Sequence, residues 1–291
     1  MVEWTGGGLP SGSKSFAVPL GKFQSEVLRV LAAQRSPDSY IAGGVAINRE
    51  GPRFSGDIDI FHDSEARLEA AATADAAALT AAGYSVAWER VRDGKRDATV
   101  SRGGEAMPLE WVTDAAFRFF PTQPDELFGY VLHPVDLATN KASAAADRRV
   151  PRDIVDLVTI HETILPLGAV VCAAVGRFPG VTPEEMLAEI TRHSRFTAEE
   201  FEALATEEPV DVPALHRRIR SMIEDAESFI AKLPSDAVGI VFMDDGEKAV
   251  QPDVNALDKY QRNPGGPRGF WPSSPDIARA MLERYNDEPK P

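Results

Sequence analysis

The chain has 291 residues, 43% hydrophobic and 26% charged, which describes one large or two modest folded domains and excludes a fibre or a disordered tail. No run approaches the roughly 18 uncharged apolar residues of a membrane span, and the start, MVEWTGGGLPSGSKS, lacks the apolar stretch of a secretory signal, so a cytoplasmic protein with no membrane partner is expected. A net charge of −14 argues against a protein that coats nucleic acid without specificity.

Residues 1–20, which open rich in Gly and Ser, are expected to form a flexible arm. Phe23, Val27, Val30 and Leu31 then predict an amphipathic helix over 21–34. Tyr40 to Ala42 reads as a strand running into Gly43 and Gly44, and Asp57 to Phe61 as a second strand. Asp63 or Ser64 caps an alanine-rich helix to about Ala82, which Gly83 ends. Strands follow at 84–89, 97–101 and 107–112, the last two joined as a hairpin across Arg102 to Glu105. Past Pro121 the pattern is helical, at 125–131, 135–147, 151–161, 167–175, 183–193, 198–205 and 213–233, with proline near several starts. A late strand is expected at 239–243, a Pro- and Gly-rich loop at 262–275 and a last helix at 276–285. The fold class is α+β: a small mixed β-sheet flanked by helices, followed by a mainly helical C-terminal half. Its expected divisions are 1–20, 21–125 (core), 126–235 (helical) and 236–291 (extension).

The acidity is uneven, −5 over residues 1–156 and −9 over 157–291, so an anionic ligand is better tolerated in the first half. Basic side chains cluster there at Arg90, Arg92, Lys95, Arg96 and Arg102, and at Lys141, Arg148, Arg149 and Arg152, although such clusters are commonly just solvated faces. The strongest local signal is GGVAINREGPRFSGDIDIF, residues 43–61. Alternation along a strand sends Asp57 and Asp59 to one face, about 7 Å apart, while Ile58 and Ile60 enter the core. Two carboxylates so placed repel each other unless a cation compensates, and oxygen donors suit Mg²⁺ (or Mn²⁺) shared with substrate phosphates. Gly43 and Gly44 permit close backbone approach, a helix starting there would aim free N–H groups at an anion, and Arg53 and Ser55 offer a guanidinium and a hydroxyl. A bare DxD on a solvated strand with a plain Gly-Gly turn is the bland alternative, which the combination of residues outweighs.

Gly-Gly followed by Arg-x-Ser-x-Asp-Ile-Asp resembles the signature of the DNA polymerase beta-like nucleotidyltransferase superfamily. The resemblance implies the nucleotidyltransferase fold and a third carboxylate on a later strand, for which Glu110 in Leu109-Glu110-Trp111 is the candidate and Asp97 the reserve. Residues 136–157, DLATNKASAAADRRVPRDIVDL, are similar to the later motifs of AbiEii/AbiGii-type nucleotidyltransferases, a lysine-bearing helix followed by an Arg-Asp helix. Lys141, Arg152, Asp153 and Asp156 occupy those positions, with Asp153 and Asp156 near a helix start where they could orient Lys141 or Arg152.

What the resemblance implies is transfer of an NMP from an NTP, ATP included, to a hydroxyl acceptor with release of pyrophosphate. Asp57, Asp59 and Glu110 would hold the metal, Asp57, Asp59, Glu110, Lys141 and Asp153 would be catalytic, and Gly43, Gly44, Arg53, Ser55, Lys141 and Arg152 would bind the nucleotide. The biological role implied is the toxin of a toxin–antitoxin pair, acting on tRNA or another RNA, with a cognate antitoxin as partner. A small-molecule acceptor and a non-catalytic binding module of the same fold stay open.

Other residues read plainly. Cys172 is a small core residue, and no histidine or cysteine spacing suggests zinc. His62 reads as a strand-end polar residue, and His216 to Arg220 as a solvated helix face. Phe270 and Trp271 beside Arg268 either stack a base or pin a loop.

Overall fold

The structure is a computed structural model and describes residues 20–271 other than 50, 52 and 179. α1 (Lys22–Ala32) buries Phe23, Val27, Leu28 and Leu31 along one stripe. β1 (Ser39–Ala42) is buried throughout and turns directly into the short helix α2 (Gly43–Ile47). β2 (Ile58–His62) alternates strictly, with Ile58, Ile60 and His62 inward. α3 (Glu65–Ala81) begins where the Ser64 hydroxyl accepts from the Arg67 N–H at 3.4 Å. β3 (Ser85–Arg92), β4 (Lys95–Arg102) and β5 (Glu105–Thr113) form an antiparallel meander.

Next come β6 (Phe117–Arg118), β7 (Gln123–Asp125) and β8 (Gly129–Val131). The helix expected over 125–131 is therefore replaced by the antiparallel β7–β8 pair. The Asp125 carboxylate accepts from the N–H groups of Leu127 and Phe128, both at 2.8 Å, taking donors that a helix would need. Gly129 adopts φ +72° against the Ala32 carbonyl, where no other side chain fits. The sheet thus runs on to Val131, beyond residue 125.

Its seven strands lie in the order β3-β4-β5-β2-β1-β8-β7, with β5 parallel to β2 and β8 parallel to β1. α1 and α3 cover one face, packing on Ile58, Ile60, Leu109 and Trp111. The helical half lies toward the other: α4 (Pro134–Asp147), α5 (Pro151–Thr163), α6 (Leu167–Ala174), α7 (Pro183–His193), α8 (Ala198–Glu202) and α9 (Val212–Ile230). Proline occupies the first turn of α4, α5, α7 and α9, where its missing N–H costs no hydrogen bond. α6 is buried on every side and carries Cys172, whose thiol burial pushes up to about 12. Among the described residues no single helix is long and apolar enough to cross a membrane; α5 and the segment from Leu167 to Arg177 are bent by 110°.

β9 (Val241–Met243), β10 (Ala249–Val250) and β11 (Gln261–Asn263) form a small sheet, and β12 (Gly266–Pro267) pairs back with β6. The expected loop is therefore strand over part of its length. Buried Asn263 donates to the Phe119 carbonyl at 2.7 Å, supplying a tertiary bond in place of local regularity. Trp271 packs against Phe120 with the ring centroids 4.9 Å apart and the rings tilted by 51°, which pins this segment to the fold. Of the expected arm over 1–20 only Leu20 is described, and it is buried; the expected helix over 276–285 lies outside the described residues.

Candidate active site

The alternation that buries Ile58, Ile60, Leu109 and Trp111 sends Asp59, Phe61, Glu110 and Val112 to the opposite sheet face. Parallel register sets Asp59 beside Glu110 and Phe61 beside Val112. Together with Asp57, which precedes β2, they floor a cleft of about 260 Å³. Its walls are Gly43 and Gly44, the Arg53–Ser55 loop, the Leu137, Asn140, Lys141 and Ala144 face of α4, and the side chains of Arg148 and Arg152.

The glycine pair makes room for the chain's own side chains. Gly43 sits at φ +70°, and a Cβ there would lie 1.9 Å from Asp59 Oδ2; one on Gly44 would lie 2.7 Å from Ser55 Oγ. α2 is only five residues long, so its dipole contributes little and anion binding here falls to the cationic side chains. Ser55 Oγ donates to Asp57 Oδ1 at 2.8 Å, and Gln24 of α1 donates to the carbonyls of Ser55 and Asp57, fixing this turn from beneath.

Burial and the charges of Asp57 and Glu110 push Asp59 up to about 7, against the pull of Lys141 and Arg152. Glu110 is paired with Lys95 of β4, which also lies 3.3 Å from Asp97, the residue opposite Glu110 in register. Burial works against the Lys95 charge, yet the hydrogen bond to Glu110 holds its ammonium above the ordinary lysine range. Among the described residues no three His, Cys, Asp or Glu side chains are gathered into a metal cage. Asp57 and Asp59 nevertheless fit a hard divalent cation: Mg²⁺ is commonly held by one or two carboxylates with substrate phosphates completing its shell, and the strained charge of Asp59 calls for a counter-ion. Glu110 meets Lys95 through Oε2 alone.

Behind the cleft lies a buried ionic network. Lys141 Nζ is 2.8 Å from Asp153 and 3.0 Å from Asp156. Arg53 binds Asp156 in two-pronged fashion, both contacts at 2.9 Å, and Asn48 donates to the same carboxylate at 2.8 Å. Burial opposes the charge of Asp153, but the hydrogen bond from Arg148 and the Lys141 ammonium hold it below the usual carboxylate range. Arg53, expected on a phosphate, is thus engaged with Asp156, whereas Arg152 reaches Asp57 at 3.4 Å rather than either helix acid. Arg148 and Arg152 remain 48% and 40% exposed at the mouth, where they can meet an anion.

Of the residues singled out by sequence, Gly43, Gly44, Arg53, Ser55, Asp57, Asp59, Glu110, Lys141 and Arg152 line this one cleft, and Asp153 stands directly behind Lys141. Gln24, Asn48 and Asn140 escape such reading, and Lys95 shows in it only as a member of a basic cluster. Only Gln24 leaves a local sign, as a buried polar residue in step with Val27, Leu28 and Leu31 on the apolar stripe of α1.

The family model described as the nucleotidyl transferase AbiEii toxin of type IV toxin–antitoxin systems matches residues 29–237. Among solved structures the chain is similar to MenT4, a nucleotidyltransferase toxin from Mycobacterium tuberculosis H37Rv. The identity is 16% and the TM-score 0.50, over 74% of this chain and 83% of that one. A structure from H. pylori named for the same activity gives 13% identity and a TM-score of 0.42, over 72% and 95%, a likeness too loose to argue from. No curated protein matches. The fold is that of a nucleotidyltransferase, and the chain belongs to the AbiEii family of nucleotidyltransferase toxins.

Proposed function

We propose that this enzyme moves an NMP from an NTP to a hydroxyl on an RNA, with a tRNA end as the leading acceptor, and that pyrophosphate leaves. The observation that carries the reading is one cleft with carboxylates on its floor and cations on its wall and rim. Asp57 and Asp59, joined by Glu110, are the residues that would hold Mg²⁺ or Mn²⁺; when bound, such an ion offsets charge on the transferring phosphoryl group.

The remaining work belongs to the chain. Lys141, fixed between Asp153 and Asp156, presents a positioned ammonium to the phosphates, and Arg148 and Arg152 meet them from the rim. Ser55 steers Asp57 by its hydrogen bond, and Gly43 keeps space for Asp59. Positioning of this kind supplies most of the rate in phosphoryl-type transfer, and no covalent enzyme intermediate is needed. Asp153 and Asp156 act through Lys141, and Arg53 acts through Asp156. An RNA acceptor accords with the exposed arginines at the mouth, despite the net charge of −14. A cognate antitoxin and a cytoplasmic setting go with this reading.

The test incubates wild type and an Asp57→Ala, Asp59→Ala variant with α-labelled NTPs and Mg²⁺, with total tRNA in one arm and small hydroxylated compounds in the other. Label on tRNA from the wild type, lost by at least about 100-fold in the folded variant, supports the reading. Full labelling by the variant sinks the mechanism, and label only on small molecules moves the acceptor to that class.

A further inference from the structure

Outside the cleft, a series of cations runs from its mouth onto the helical half. Arg149, in the turn between α4 and α5, lays its guanidinium 4.2 Å from the centroid of the Phe196 ring, donates to the Arg195 carbonyl at 2.6 Å and pairs with Glu200 of α8 at 2.7 Å. His193, at the end of α7, meets the Ala145 carbonyl of α4 at 3.0 Å. The mouth arginines Arg148 and Arg152 flank Arg149 in sequence, so these contacts tie the rim of the cleft to the ends of α7 and α8. Phe201 of α8 in turn packs edge-on to His216 of α9, with the ring centroids 5.5 Å apart. From there a groove of about 510 Å³ opens between α7 and α9, lined by Ser194, Arg195, His216 and Arg220. Glu224 and Glu227 line its farther end, about one and two turns on from Arg220 along α9.

Arg149, Arg192 and Arg218 each have a glutamate partner, but the exposed guanidiniums of Arg195 and Arg220 have none among the described residues. In a chain with 45 acids to 31 bases, two exposed arginines left free on one groove reverse the overall charge locally, and they favour an anion. The rings beside the groove are no platform for bases, since Phe196 and Phe201 are 7% and 0% exposed. What the groove offers is guanidinium and hydroxyl groups, which grip a phosphate backbone without reading bases. Base-paired RNA is held mostly in that way, by its shape and its backbone. We infer that this groove, with Arg149, is the docking face for a base-paired stem of the RNA acceptor, whose single-stranded end enters the cleft. The inference rests on the RNA-acceptor reading of the cleft.

Fluorescence anisotropy of the full chain with a labelled RNA hairpin bearing a single-stranded 3′ end tests it. Arg195→Ala, Arg220→Ala should weaken hairpin binding about tenfold and lower the slope of log Kd against log salt by about two. Scrambling the stem should leave the affinity unchanged, and Arg195→Lys, Arg220→Lys should keep it within about threefold. Lys22→Ala, Arg29→Ala removes the same charge from α1 on the opposite sheet face and should stay within about twofold of wild type. NTP binding, followed by calorimetry with Mg²⁺, should be unchanged in every variant. Wild-type affinity in the Arg195 and Arg220 alanine variant, or an equal loss in the α1 variant, overturns the inference and leaves the RNA-acceptor reading intact. Tighter binding of poly-glutamate than of the hairpin moves this face to an acidic protein and likewise overturns it. A wild type that binds NTP but neither binds nor labels RNA overturns both.

Discussion

Asp59 and His62 sit three residues apart and carry opposite electrostatic loads. Asp59 is raised from 3.8 to about 7 by burial and by its acidic neighbours, while burial and the Arg35 charge lower His62 from 6.5 to about 4. Between those limits the folded chain keeps a proton on Asp59 that the unfolded chain has released, so this residue makes stability fall as pH rises from about 4 to about 7. His62 acts in the reverse sense: below 6.5 the unfolded chain takes up a proton that the folded chain refuses, so stability falls as pH drops toward about 4. The two slopes oppose each other in the wild type. Asp59→Asn should therefore expose the rising slope of His62, and should stabilise the metal-free protein at pH 8 by about 2–4 kcal/mol in urea titrations. It should also abolish any rise in Tm on adding Mg²⁺. A variant whose pH profile overlays the wild type contradicts this account of Asp59.

At the scale of elements, what joins α1, α3 and β5 is a buried ion pair as well as apolar packing. Arg35, just past α1, pairs with Asp75 of α3, both side chains 0% exposed, and Trp111 of β5 donates to Asp75 at 2.7 Å. Breaking such a pair on one side leaves an uncompensated buried charge. Asp75→Ala should cost about 3–5 kcal/mol in denaturant unfolding, and Arg35→Met, Asp75→Leu together should recover most of it. A single variant losing under about 1 kcal/mol would place this pair with ordinary exposed ones.

Elements also differ in how legible they are. α7 carries its own instructions, since Thr182 and Glu185 close a capping box around Pro183 and the apolar period runs cleanly to His193. The β7–β8 pair does not: Glu126, Leu127 and Phe128 are neutral to helix-favouring, and only the Asp125 turn and the contact of Gly129 with Ala32 decide against helix. β6 and β12 are still less readable, because each is two residues long and exists only through the other.

For the whole molecule, the junction between the sheet and the helical half converges on Asp156 of α5. It receives Asn48 and Arg53 from the segment between β1 and β2, and Lys141 from α4. The Arg53 loop is tied a second time, where the Phe54 N–H donates to the Ala205 carbonyl at 2.9 Å. Removing this carboxylate should loosen the two halves and the cleft between them together. Asp156→Ala is expected to cost about 3–5 kcal/mol of stability and to raise KM for the NTP as Lys141 loses one of its two anchors, with Asp156→Asn intermediate. A variant that keeps wild-type stability and KM would show that Asp153 alone positions Lys141.

Several properties of this protein are written into its sequence alone. The order of most helices, the alternation that divides Asp57 and Asp59 from Ile58 and Ile60, the glycine pair and the acidic balance all depend on neighbours along the chain or on composition, and so can be read there. Tertiary structure decided the rest: that Glu110 stands beside Asp59 by parallel register, that Lys95 pairs with Glu110, that Arg53 turns to Asp156, and that Arg177 holds the amide of Asn140. Each is a match between charged or polar groups distant in sequence. Their pairing is set by strand register and by which groups burial forces to find partners, neither of which a local pattern encodes.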